Sequence, residues 1–420
     1  MPSIAQDGQG VMVVWLDMDA PPATPPPKAA AYWPPTMAMM AVHVAFAWGL
    51  MTIPILGPVL VPVVGYGPEI LGFYGAVIWT AGFLATFLTG PAINRFGAVR
   101  VSQFCTCCFG AGLLMGEFGA LWAFAIGSVF LGFGAATESP ASSALLIRVA
   151  PPARRGFIFS VKQIGVPIGG FIAGFAIPAL LPLLGWRGVL ALVAALCFAL
   201  VLALEPIRRR YDPPPALRPP PMQGNALQDM VAGWRFCWAI PAMRPLLIAN
   251  APYNALQFSM HTFLVVRLVT ELHLSLVMAG AMIAVMQICG LAGRLGLGWL
   301  ADRFTSPRGI LIAVGFCMLA TGTAVAIYSP AWPTWPLFIV VAIFGLTGNA
   351  WNGVFMAEVA RLVPPAEAGR ASAVAMMASI FGVIAAPLAV GWIVAVSGFG
   401  AAFGAVTATV LIAVVALLRR

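Results

Sequence analysis

Apolar runs of about 20 residues or more recur along this chain between short polar stretches, and that feature leaves few folds open. Hydrocarbon offers no hydrogen bonds, so a segment crossing it must pair its backbone N–H and C=O groups internally, as a helix or inside a closed barrel. Barrel strands alternate polar and apolar residues over about 10 positions, and these runs are too long and too uniform for that. A soluble fold fails on charge. Of 420 residues, 61% are hydrophobic and 8% charged, and mean hydropathy is +0.97, where a soluble domain needs about 25% charged. The expected class is an all-α membrane protein.

The runs place twelve spans near 36–62, 70–93, 98–117, 120–147, 156–181 and 186–205, then 244–267, 276–300, 308–328, 334–360, 370–396 and 399–418. Four regions follow: a disordered tail at 1–35, a six-helix bundle at 36–206, a linker at 207–240 and a second bundle at 241–420. The tail is Pro-rich, carries Asp7, Asp17 and Asp19, and lacks the basic start and apolar core of a signal peptide. The linker, with Arg208-Arg209-Arg210, Pro213-Pro214-Pro215 and Pro219-Pro220-Pro221, reads as basic and extended. Cys105, Cys107 and Cys108 lie in an apolar run and read as small buried side chains rather than metal ligands.

Basic residues set the orientation. Eighteen of the 22 lie on one face, from Lys28, Arg95 and Arg100 through the linker to Arg419 and Arg420. That face is expected to be cytoplasmic, with both termini on it, in a cell inner membrane. Arg187 and Arg267 fall on the opposite side. The net charge of +9 therefore reports topology, and no nucleic-acid partner is expected.

The chain also repeats itself. Gly90-x-x-x-Asn94-Arg95-Phe96-x-x-x-Arg100 follows the second span, and Gly298-x-x-x-Asp302-Arg303-Phe304-x-x-x-Arg308 follows the eighth, offset by 208. Arg148-x-x-Pro151-Pro152-Ala153-x-x-Gly156 follows the fourth, and Arg361-x-x-Pro364-Pro365-Ala366-x-x-Gly369 follows the tenth, offset by 213. Six spans per half put the ends of each half on one side, so the repeat is parallel. The paired glycine–arginine loops resemble the signature cytoplasmic loops of the major facilitator superfamily. That resemblance, over residues 36–418, implies two six-helix bundles rocking about a central site. Spans 1, 4, 7 and 10 would line the cavity, spans 2, 5, 8 and 11 would join the halves, and one chain would suffice. Asn94 stands where the family usually has aspartate, which implies a weaker charge lock in that half.

A charge at the bilayer centre costs about 2.5–3.5 kcal/mol on insertion scales, so ionisable groups within spans are candidate functional residues. They are Glu138, Lys162, Arg294 and Glu358, with His43 and His261 as titratable neutrals. Arg294 and Gln287 are seven residues apart and share a face with Gly290. A guanidinium about 10 Å inside the boundary can hold a carboxylate through two parallel hydrogen bonds. Its place on the eighth span resembles the substrate-binding arginine of monocarboxylate and oxalate–formate transporters. Lys162, about 9 Å deep, either brackets an anion with Arg294 or pairs with Glu138. Asn250, Asn254, Gln257 and His261 fall at i, i+4, i+7 and i+11, a polar stripe on the seventh span, and Asn349 and Asn352 make a shorter one on the tenth. Glu358 and Arg361, with the loop residues Gly90, Asn94, Arg95, Gly298, Asp302 and Arg303, read as a gating or structural cluster.

No catalytic constellation, metal-ligand spacing, phosphate-binding loop or cofactor motif is present in the sequence. The leading expectation is proton-coupled symport of a small organic anion, with Glu138 and His43 as proton carriers. The alternative is proton-driven multidrug or metabolite efflux. Against it, Ser128 occupies the place where drug–proton antiporters of the resembled superfamily usually carry arginine. Thr86, 208 residues before Arg294, likewise departs from the arginine pair of nitrate exchangers.

Overall fold

The computed structural model describes residues 32–151, 154–212, 226–303, 306–364 and 367–419. Most of the tail and the centre of the linker lie outside them, as do Pro152, Ala153, Phe304, Pro365 and Ala366 and the side chain of Asp302. The described residues are helical. The first half holds α1 (Trp33–Val64), α2 (Ile70–Phe96), α3 (Ala98–Gly116), α4 (Leu121–Val149) and α5 (Arg155–Ala203). The second holds α8 (Arg244–Thr270), α9 (Leu276–Arg303), α10 (Pro307–Ile327), α11 (Trp335–Gly348), α12 (Asn352–Arg361) and α13 (Ala368–Leu418). Between them lie α6 (Glu205–Tyr211) and α7 (Ala226–Ala239). The linker is thus not extended throughout, since helices occupy both its ends.

Nine helices among the described residues are long and apolar enough to cross a membrane. α8 is not one of them: it is 27 residues long, but its polar stripe dilutes its hydropathy. Two of the nine are more than twice the roughly 20 residues that one crossing needs. α5 has 49 residues and α13 has 51, and each is broken by a glycine outside helical dihedrals, Gly185 (φ 66°, ψ 172°) and Gly398 (φ 79°, ψ 173°). Positive φ favours glycine, which has no Cβ to clash. The two breaks are 213 residues apart, the same offset as the Arg-Pro-Pro loops.

Within the first half α1 packs on α5, and α4 on α2 and α3; within the second α8 and α10 pack on α13, and α9 on α11. The halves meet through α5 with α9, α2 with α13 and α1 with α8. The repeat is visible at these seams. A Cβ on Gly174 would collide with the Gly280 carbonyl, and one on Gly72 with the Pro387 carbonyl. Gly72 and Gly280 are related by the offset of 208, and Gly174 and Pro387 by that of 213. Both contacts lie at the end remote from the arginine-rich loops. At the arginine-rich end of the same four helices, Gly90, Gly156, Gly298 and Gly369 have nothing within 4 Å of where a Cβ would stand. The halves are close-packed at one end, and at the other the space beside these four glycines is unfilled by described residues.

α6 is tied to the arginine-rich end of the first half. Asp212 accepts from the backbone N–H of Val99 (3.0 Å) and Arg100 (2.9 Å), satisfying orphan donors at the start of α3. Its carboxylate also lies 3.9 Å from Arg148. Arg208 grips Glu205 through two hydrogen bonds of 2.8 and 2.6 Å.

Arg267, at the end of its span, is 1% exposed. It donates to the carbonyls of Val325, Ala326 and Tyr328 and stacks over Phe403. The last carbonyls of a helix have no partner within it, so Arg267 serves as the C-terminal cap of α10. Removing one partner of a buried charged network costs about 3–5 kcal/mol. Arg267→Met is therefore expected to lower thermal stability markedly, whereas Arg187→Met, at an exposed site, should change it by under about 1 kcal/mol. Parallel melting curves of the purified variants check this.

Candidate functional site

In the first half the buried ionisable groups converge from three helices. His43 on α1, Glu138 on α4 and Lys162 on α5 are each 1–2% exposed. Gly165 makes this possible, because α5 lies so close to α1 that a Cβ there would strike Met40 and His43. His43 Nδ1 stands 2.7 Å from Glu138 Oε1 and 2.9 Å from the Met39 carbonyl. The hydrogen bond goes to Met39, and among the described residues both Glu138 Oε1 and Nε2 of the ring are buried without a hydrogen-bond partner. Lys162 does not reach Glu138 as an ion pair. Its Nζ donates to Ser142 Oγ (3.0 Å) and Ser143 Oγ (3.1 Å), one helical turn further along α4.

The second half builds its part around a break in the tenth span. That span is not one helix: α11 ends at Gly348 and α12 starts at Asn352. Across the gap Asn349 N–H bonds back to the Phe344 carbonyl and Trp351 N–H to Thr347. Two residues of α9 converge on Asn349. Gln287 Oε1 accepts from its side-chain amide (2.9 Å), and Arg294 Nε donates to its backbone carbonyl (3.3 Å). Gly290, between them, faces the Asn349 Cβ. Such discontinuous helices expose main-chain groups near the middle of transporter bundles.

The α8 stripe divides its labour. Asn250 donates to the Ala375 carbonyl of α13 and accepts from Asn254 (2.6 Å), so this pair joins two helices. Gln257 Oε1 accepts from the indole N–H of Trp351 (3.0 Å). His261 Nε2 and Asn349 Oδ1 are buried without partners. Asn352 opens α12, half-buried.

Antiparallel register links the halves. Gly174 lies beside Gly280 and Ala284, and Gly170 beside Gln287. Extending that register by two turns sets Arg294 level with Gln163. Lys162 and Arg294 thus share a depth while Lys162 is turned toward α4. Glu358 and Arg361 lie apart from this region, in a forked pair of 2.7 and 2.8 Å. They border a cavity of about 180 Å³ that Ser306 and Arg308 also line. Of the loop residues, Arg95 lies over Phe96 and Arg303 over Trp299.

Ser143 and Trp351 carry contacts that sequence reasoning missed. Trp351 is fully buried and meets Tyr253 edge to face at 5.2 Å. Its flanking asparagines were the available signal. Among the described residues no group of three His, Cys, Asp or Glu is placed to hold a metal.

The profile of the Major Facilitator Superfamily matches residues 37–359. The chain belongs to that superfamily. Among solved structures, a bacterial homologue of the human lysosomal transporter Spinster aligns at TM-score 0.73 and 17% identity, over 93% of this chain and 96% of that one. A point mutant of the nucleoside transporter NupG aligns at 0.76 and 15%, over 91% and 99%. A D-xylose-proton symporter aligns at 0.69 and 16%, over 91% and 97%. The MFS transporter asaE of Aspergillus flavus is 24% identical over 242 residues, 56% of this chain. The match spans about half of that relative, 51%.

As a Major Facilitator chain, the protein is a transporter rather than an enzyme, and its working partners are the bilayer and a small molecule. The polar groups just described lie on α1, α4, α8 and the α11–α12 break, with α5 and α9 alongside. Stranding a buried donor costs about 1–3 kcal/mol. Gln257→Leu is therefore expected to lower stability by that amount and to change the near-ultraviolet dichroism of the tryptophans. An unchanged spectrum and melting curve would show that the Trp351 bond does not form.

Proposed function

We propose that this transporter moves a small organic anion, a carboxylate by preference, in symport with protons by alternating access. The observation that carries the reading is an imbalance of charge. Lys162 is held by two hydroxyls and Arg294 by a main-chain carbonyl, and among the described residues neither has a carboxylate within 4 Å. A carboxylate entering between the halves would supply the missing charge, and a guanidinium fork suits its two oxygens. Gln287, Asn250, Asn254, Gln257, His261, Asn349 and Asn352 form the polar surroundings of that site.

The His43–Glu138 pair is the proton carrier in this reading. The two groups lie 2.7 Å apart, close enough for a small turn of the ring to pass a proton between them. Twelve crossings follow if α5 and α13 each cross twice and α8 crosses once. The arginine-rich face is assigned to the cytoplasm by the positive-inside rule. This puts both termini there, in the inner membrane, with the unfilled end facing inward and a monomer as the working unit. The glycine–arginine loops and the Glu358–Arg361 pair then act as the gate.

A ligand at about 100 times its dissociation constant stabilises a protein by roughly 2.7 kcal/mol. In a panel of mono- and dicarboxylates, inorganic anions and lipophilic cations, a carboxylate is expected to raise the melting temperature of the wild type and not of Arg294→Ala. Shifts with lipophilic cations alone, unchanged by the substitution, would establish efflux instead. For coupling, Glu138→Gln in proteoliposomes should abolish accumulation driven by a pH gradient while leaving exchange of substrate intact. Undiminished pH-driven accumulation would remove Glu138 from the proton path.

A further inference from the structure

α7 ends four residues before α8, and its exposed surface has the wrong character for water. Val231, Ala232, Arg235, Trp238 and Ala239 are exposed and fall at i, i+1, i+4, i+7 and i+8, a continuous stripe along the helix. Val231 is 45% exposed and Trp238 40%. Four of the five are apolar. The opposite face is already occupied: Cys237 is fully buried, Gly233 seats against Val374 of α13, and Phe236 lies under the Arg370 guanidinium at 5.5 Å. The helix is therefore apolar on both faces, and among the described residues only one has a protein partner.

Its position follows from what it is attached to. Arg244, the first residue of α8, donates from Nε to the Trp238 carbonyl (2.7 Å). Tight turns join the two helices, with Ile240 N–H bonded to Cys237 and Met243 N–H to Ile240. The end of α7 is thereby pinned at the start of α8, which is read as a bilayer-crossing helix, on the arginine-rich side. Trp234 and Trp238 stack at 6.1 Å and 13°, and tryptophan favours that depth, where one edge of the indole is wet and the other apolar. Among the described residues Arg235 and Arg244 form no ion pair, so both guanidinium groups are available to anions.

We infer that α7 is an interfacial helix, its Val231–Trp238–Ala239 stripe immersed in the bilayer surface and Arg235 engaging anionic lipid headgroups on the arginine-rich side. An exposed apolar stripe that carries a tryptophan and an arginine suits the headgroup layer, where the indole sits at the interface and the guanidinium meets phosphate. The occupant is lipid rather than a second copy of the chain, because the stripe is held four residues from the start of a helix read as bilayer-crossing, on the arginine-rich side.

The test uses the full-length protein with its seven cysteines replaced, an environment-sensitive fluorophore placed by Trp238→Cys, and reconstitution into vesicles. Immersion is expected to appear as quenching by nitroxide-bearing lipids together with protection from aqueous iodide. Quenching by iodide and not by lipid nitroxide would overturn the inference, as would protection from both, which would indicate a covering protein. The headgroup arm compares phosphatidylcholine vesicles with and without phosphatidylglycerol. The anionic lipid should raise the melting temperature of the wild type, and Arg235→Gln should lose most of that rise. No rise in the wild type, or an undiminished one in the variant, would overturn the anionic preference.

Discussion

The absence of water in the bilayer core governs this structure. A charge there must find oxygen atoms within the protein, and each of the three deep cations finds a different kind. Arg267 takes the carbonyls that α10 leaves unpaired at its end. Lys162 takes two serine hydroxyls on α4. Arg294 takes a carbonyl released by the break between α11 and α12. Interhelical polar contacts average only about 0.6 kcal/mol, well below the insertion cost of a charge. Arg267 offsets its cost by closing a helix end. Arg294 likewise meets the carbonyl at the end of α11, but among the described residues neither it nor Lys162 has a carboxylate within 4 Å, which is why the proposed role rests on them.

The same constraint explains how the halves meet. Apolar surface gains little by leaving lipid for protein, so helices associate through close packing, and small residues permit it. Gly174 against Gly280 and Gly72 against Pro387 are one contact built twice by the repeat. In the proposed transport cycle the close-packed end is where the halves would pivot, since packed interfaces switch between discrete arrangements rather than deforming continuously.

Much of the architecture was legible in the residues. The apolar runs marked where helices lie because period and length are local properties. The offsets of 208 and 213 marked the parallel repeat, and the structure extends the second to the breaks at Gly185 and Gly398. The seven-residue spacing of Gln287 and Arg294 set both on one helical face, and both reach Asn349.

What the sequence determined by itself is the class of fold, the repeat and the set of buried polar residues, since each follows from spacing along a helix in hydrocarbon. Partner choice was decided by tertiary structure alone. Helical periodicity fixes direction around one axis and says nothing of which neighbouring helix stands there. So Glu138 met His43 and left Lys162 to Ser142 and Ser143, Asn250 and Asn254 became a joint to α13, and Arg267 turned inward to cap α10. The break at Asn349–Trp351 belongs with these. Gly348 and Gly353 flank those residues, but glycine inside a helix does not by itself open it, and the helix opens there with Gln287, Arg294 and Gln257 bonded to Asn349 and Trp351 from neighbouring helices.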